Sequence, residues 1–271
     1  MRGLESEDKR NAGKTSVPAK GVDTRIEFVM ADKPKYVTNK KWHNCMPKDQ
    51  EEIKNAVTSN PLNQLNIIIC KTLMNNGRPM LGWSMFPVSK TKTGTPIQPS
   101  SKQWGQFIAY NSLPGYNSRY SGDTLTHEMG HFFGLYHTFW EGIGTKCKFD
   151  NDYKGDTALT SSPGYGCKKA SKSCPGSKGN DPIWNIMDYS DDACMFSFST
   201  EQVRVVSRSI SPPWRSIRIR LALRTYAPRG VRVVSQTKSR KIPTRNFLPL
   251  FFVSRPSPCT TSSSSTKSPC T

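Results

Sequence analysis

Three apolar stretches stand out from an otherwise polar chain. LNIIICK at residues 65–71 reads as a buried strand, LGWSMFP at 81–87 as a second that proline stops, and GQFIAY at 105–110 as a third. TRIEFVMA at 24–31 is a further candidate strand. Helical signals differ in period. PKDQEEIKNAV at 47–57 has proline and acids in its first turn, with Ile53 and Val57 four apart. DTLTHEMGHFFGL starts at Asp123, a candidate N-cap, and Gly134 supplies its C-terminal stop. Ser199-x-x-Gln202 is a capping-box signature for one more helix.

Between these elements, residues 88–103 read as a Lys/Thr/Ser/Pro loop and NSLPGYNSRYSG as a turn-rich connection. Residues 141–182 show almost no regular pattern but carry three cysteines; such a stretch inside a domain is usually functional or stapled. Residues 1–22 are polar, aperiodic and expected to be disordered. The predicted organisation is a folded domain over 23–207 followed by a basic, Pro- and Ser-rich, disordered tail over 208–271, with no internal repeat.

The 271 residues suffice for one large domain or two small ones. A net charge of +19 invites a nucleic-acid reading, but fourteen Lys and Arg lie after Gln202 and no acid follows Glu201. Only +5 therefore belongs to the first 202 residues, and no specific nucleic-acid partner is expected. No apolar run approaches the ~18 residues of a membrane span. Eight cysteines, none spaced as C-x-x-C, fit disulfides in an oxidising compartment, whereas residues 1–21 contain no apolar stretch able to serve as a signal peptide.

Three of the four histidines fall within THEMGHFFGLYHTF. His127 and His131, four apart on a helix, project from one face about a turn apart, which suits two imidazoles on one tetrahedral ion. Glu128 can sit beside that ion without coordinating it, placed to take a proton from water. Gly134 permits the left-handed backbone that turns the chain back, and His137 then reaches the ion from another direction. Three neutral nitrogens with one open position describe a catalytic zinc (Zn2+) site; a structural site closes with a fourth protein ligand.

This stretch resembles the metzincin consensus H-E-x-x-H-x-x-G-x-x-H, and NIMDYS at 185–190 supplies that group's methionine turn as Met187. From about Phe28 to Gln202 the chain is similar to the pappalysin family, the M43 peptidases, including secreted fungal members. LNIIIC, LGWSMFP, NSLPG, GDTLTHEMGHFFGLYHTF, NIMDYSDDACM and FSTEQ carry the likeness. The resemblance implies an α/β (α+β) metzincin-like catalytic domain: a twisted mixed sheet and active-site helix above an irregular, disulfide-bound lower part. It makes Met187 a hydrophobic floor and Tyr189 a phenol near the metal that can hydrogen-bond an oxyanion. It implies two interlocked disulfides, Cys147–Cys174 and Cys167–Cys194, while the pairing of Cys45 and Cys70 stays open. An extended substrate is expected to add to an edge strand, here assigned to GQFIAY.

These relatives also bind calcium (Ca2+), and Asp150, Asn151, Asp152 and Asp156 offer oxygen donors, although Thr160 stands where relatives usually carry an aspartate. Asp191 and Asp192 follow the methionine turn where the family builds its specificity pocket, and an acid there favours Arg or Lys in the substrate; Ala193 stands where some relatives carry another acid. The expected function is a secreted, monomeric zinc metalloendopeptidase acting on proteins and peptides. The alternative is a basic binding protein with a vestigial peptidase domain. The family's opening strand and helix have no counterpart here, and the expected C-terminal helix changes abruptly into basic sequence. Both departures predict a coding region lacking a 5′ exon and shifted or read through at its 3′ end; otherwise the tail is a cationic anchor.

Overall fold

The computed structural model describes residues 22–24, 26, 28–61, 64–86, 102, 105–116, 119–142, 146–148, 151–168, 171–209 and 218–223. The loop reading of 88–103, apart from Lys102, and the disorder reading of 1–21 lie outside them. So do Cys259 and Cys270.

In chain order the elements are β1 (Val29–Met30), β2 (Lys35–Tyr36), α1 (Pro47–Val57), β3 (Gln64–Cys70), β4 (Leu73–Asn75), β5 (Arg78–Met80), β6 (Gly82–Ser84), β7 (Gln106–Ala109), α2 (Asp123–Phe132), α3 (Thr200–Ser209) and β8 (Arg218–Leu223). One six-stranded mixed sheet runs β1-β8-β3-β7-β6, with β2 also paired to β8, as the α/β expectation requires. β3 is parallel to both β7 and β8, and β6 is antiparallel to β7. β4 and β5 form a separate hairpin on Asn76-Gly77, both at positive φ, a turn signal that the sequence reading passed over.

Period-2 alternation on β3 and β7 divides the core. Leu65, Ile67 and Ile69 of β3 and Ile108 of β7 join one apolar cluster with Met129 and Phe132 of α2, Met187, and Val203 and Val206 of α3. Their neighbours Ile68, Cys70, Phe107 and Ala109 face the other way, onto Ile53 and Val57 of α1. Fully burying each such Leu, Ile or Phe contributes about 1.5–3 kcal/mol. The result is a layered arrangement with the sheet in the middle and α2 held against its inner face.

Four expectations need correction. Of the strand expected over 24–31, the described strand residues are Val29–Met30, paired with Arg218 and Ile219 of β8. GQFIAY is no edge: β7 is buried throughout between β3 and β6, and among the described residues the sheet ends on this side at β6. The boundary at 207 falls inside α3, which runs to Ser209, whose Oγ donates to Phe133 O at 2.7 Å. Finally, Arg218–Leu223, expected in the disordered tail, forms β8, in register with six consecutive residues of β3. The reason is in RIRLAL itself: large apolar residues alternate with arginine or alanine at strand period, a pattern that the segment's charge obscures.

Disulfides join Cys147 to Cys174, Cys167 to Cys194 and Cys45 to Cys70. The last ties the entrance of α1 to the end of β3.

Candidate active site

α2 owes its position to its two ends. Asp123 is not the N-cap; Gly122 occupies that place at φ 106, where it can offer no side chain. The acceptor comes from far away in sequence: Asp192 Oδ2 takes the backbone N–H groups of Ser121, Gly122 and Asp123 at 2.6, 3.1 and 3.1 Å. A buried carboxylate at a helix N-terminus satisfies orphan donors and complements the helix dipole. The Asp192 carboxylate expected at a specificity pocket is thus engaged by the N-terminus of α2, and Asp191 Oδ2 lies 3.8 Å from Arg119 Nε.

At the other end, Gly134 at φ 92 closes a Schellman turn: Leu135 N–H donates to Gly130 O and Gly134 N–H to His131 O, both at 2.9 Å. This turn does two jobs. It sends the chain back towards His137, and it presents Leu135 O to His131 Nδ1 at 2.7 Å. His127 Nδ1 is 2.6 Å from Ile186 O, and His137 Nδ1 is 2.6 Å from Glu141 Oε1. With every Nδ1 donating to an oxygen, each Nε2 is left as an acceptor.

Those three Nε2 atoms face one another. His137 Nε2 lies 3.1 Å from that of His127 and 3.0 Å from that of His131. Three lone pairs at such distances repel unless a cation sits among them; tetrahedral Zn–N bonds of ~2.0–2.1 Å separate nitrogens by ~3.3 Å. The residues present fit a zinc ion. Burial and mutual repulsion hold the His127 pKa well below the usual histidine range and bring His131 down to about 4, so both are neutral, as ligands must be. Among the described residues this is the one grouping of His, Cys, Asp and Glu arranged to hold an ion. Asp152 accepts from Thr157 and Gln202, and Asp156 from Ser199 Oγ and Glu201 N; Asp150 lies outside the described residues.

Glu128 is 6% exposed, and burial raises its carboxyl to about 8. The backbone of β6 passes so close that an ideal Cβ on Gly82 would lie 2.5 Å from Glu128 Oε1. Gln106, fully buried on β7, donates to Glu128 O at 3.0 Å. Met187 is fully buried beneath α2, where Gly130 leaves room for its sulfur. Its amide donates to Asn185 Oδ1 at 2.9 Å, and Asn185 Nδ2 donates to Gln202 Oε1 at 2.8 Å. Gln202 N–H in turn meets Ser199 Oγ, and Ser199 N–H meets Gln202 Oε1, completing the reciprocal capping box of α3. Tyr189, 44% exposed, has its ring 5.7 Å from His127 and 4.8 Å from His137. Desolvation first, and nearby Glu141 and Glu128 second, push its phenol upward, so it stays protonated and able to donate.

The structure thus gathers His127, His131, His137, Glu128, Met187 and Tyr189 in one place. Sequence reasoning missed Glu141, whose only signal is its offset of four from His137, and it missed Gln106 and Asn185, which give no local signal.

The chain resembles an extracellular metalloprotease of Sordaria macrospora, 38% identical over 172 residues covering 62% of this chain and 54% of the relative. An extracellular metalloprotease of Colletotrichum graminicola is 35% identical over 179 residues, 65% of this chain and 59% of its own. The chain therefore spans a little over half the length of these curated relatives. Among solved structures, mature mirolysin of Tannerella forsythia in complex with a cleaved peptide is 26% identical with a TM-score of 0.48, each chain covered over 60%. A second, mirolysin in complex with compound 9, is 28% identical with a TM-score of 0.47, each covered over 61%. The family model described as pregnancy-associated plasma protein-A matches residues 49–210, from α1 through α3 and across the whole histidine site, and the chain accordingly belongs to the M43 peptidases.

Proposed function

We propose that the chain is the catalytic part of a secreted zinc metalloendopeptidase that hydrolyses peptide bonds in proteins. The observation that carries this reading is the convergence of three acceptor Nε2 atoms beside a buried glutamate that follows the first of them in sequence. Export is supported by relatives named extracellular and by three disulfides.

His127, His131 and His137 would hold the zinc, which supplies Lewis acidity, lowering the pKa of a water towards ~7 and polarising the scissile carbonyl. Glu128 accepts the proton of the attacking water and passes it to the leaving amine. The Tyr189 phenol donates a hydrogen bond to the oxyanion. Met187 supports the floor through Gly130 and coordinates nothing. The substrate adds antiparallel to β6, whose first residue, Gly82, lies against Glu128.

Glu128→Gln tests the mechanism. The variant keeps about one zinc per chain and loses peptide hydrolysis by about 10²–10⁴-fold. Hydrolysis of an unfolded protein at the parental rate rejects Glu128 as the base. A parent that binds zinc tightly and cleaves nothing rejects the peptidase reading.

A further inference from the structure

The edge of β6 does not end in polar sequence. Two residues past Ser84 comes Phe86, whose ring lies 5.1 Å from that of the ligand His131 and 5.0 Å from that of Tyr136. Tyr136 continues the row to Tyr153 at 5.8 Å. Three aromatic rings therefore run outward from the metal ligands over the protein surface. The outer two are 45% and 66% exposed.

Tyr153 is held there against its own backbone preference. Its φ is 57, a left-handed conformation that a bulky side chain rarely adopts. The flanking Asp152 keeps it so: its buried carboxylate accepts from Lys154 N at 3.1 Å and Thr157 Oγ1 at 2.8 Å. Backbone strain of this kind clusters at sites of contact with ligands, and here it presents an exposed ring. Neither acid after the methionine turn competes for this role, since Asp192 caps α2 and Asp191 faces Arg119.

The geometry points to a subsite, formed by Phe86, Tyr136 and Tyr153, that takes an aromatic or bulky aliphatic side chain of the substrate on the N-terminal side of the scissile bond. The assignment rests on the peptidase reading above for its direction only. β6 runs from Gly82 beside Glu128 towards Phe86 beside His131. A peptide paired antiparallel to it runs the other way, so residues preceding the scissile bond arrive at Phe86 and the two tyrosines. Three rings in contact, the outer two exposed, offer apolar area and offset or edge-to-face stacking to such a side chain.

The test uses the full chain carrying Glu128→Gln, loaded with zinc, and two fluorescent peptides that differ by phenylalanine or glycine at one position. Anisotropy should show the phenylalanine peptide binding about 2- to 10-fold more tightly. The advantage should disappear in Phe86→Ala and in Tyr153→Asn; asparagine tolerates the left-handed backbone, so this second variant keeps the fold. Equal binding of the two peptides, or an advantage that survives both substitutions, overturns the subsite. Cleavage of a mixed peptide library by the parent supplies the direction: aromatic and large aliphatic residues should be enriched before the cut, and enrichment only after it overturns the placement. If the binding advantage appears and vanishes as expected but the parent cleaves nothing, the subsite stands and the peptidase reading fails.

Discussion

Replacing Gly130 by alanine sets two effects of opposite sign against each other. In the interior of a helix, alanine is better than glycine by about 1 kcal/mol. At this position, however, the new methyl group runs into Met187 Sδ and stands 3.3 Å from Phe198 Cε1. Met187 is fully buried, so its sulfur can yield only by repacking against its neighbours. Overpacking of this kind costs about 1–3 kcal/mol, and an overlap this severe belongs at the upper end. After the helix gain is subtracted, about 2 kcal/mol of destabilisation remains. For a domain of this size that lowers Tm by about 4–8 °C. Displacing the methionine turn also draws Ile186 O away from His127 Nδ1, now 2.6 Å distant, so zinc affinity should fall by about 10–100-fold. Thermal melts of the metal-free protein and competition with a chelator measure the two effects. Gly176→Ala is the control, because nothing lies within 4 Å of its ideal Cβ. A Gly130→Ala protein that melts at or above the parental temperature refutes the reasoning.

Three more outcomes follow from the site and its supports. Glu141→Ala should weaken zinc binding by about 10–100-fold through loss of the His137 Nδ1 acceptor, with Glu141→Gln losing less; unchanged chelator competition removes Glu141 from the site. Asp192→Ala should destabilise the fold to urea by about 1–2 kcal/mol, and Asp192→Asn should recover part of it; parental stability in both rules out the capping role. Lys54 is buried with its Nζ 4.5 Å from the Trp83 ring centroid, and burial lowers its pKa to about 8. Between about 8 and the unfolded value near 10.4 the unfolded chain binds more protons, so stability rises with pH there. Relative to Lys54→Met, the parent should therefore gain stability from pH 8 to 10, and a constant difference contradicts the assignment.

What could be read in the sequence was whatever is written locally. The offsets of His127, His131 and His137, the Gly134 stop, the capping box at Ser199 and Gln202, and the limits of α1 all depend on neighbours within a few turns. What could not be read depends on pairing across the chain. β7 is as apolar as an edge strand is not, yet only its bonding to both β3 and β6 reveals it as interior. Asp192 looks like a solvated loop acid until the fold brings it 69–71 residues back to cap α2. β8 was hidden by composition: a basic, proline-rich surrounding outweighed six residues of strand periodicity.

The two disulfides of the irregular segment interlace, because each spans 27 residues and the second opens before the first has closed. Four cysteines can pair in three ways. Linking Cys147 to Cys167 and Cys174 to Cys194 would close two loops of about 20 residues each, and loop-closure entropy favours those shorter rings by only ~0.3 kcal/mol apiece. Chain statistics alone thus tilt slightly towards the wrong product. The interlaced pairing must be chosen by the folded scaffold, in which Cys174 and Cys194 are buried. Oxidative maturation of this chain is therefore a problem of exchange as much as of oxidation, and its yield should depend on a thiol catalyst able to undo the sequential pairing.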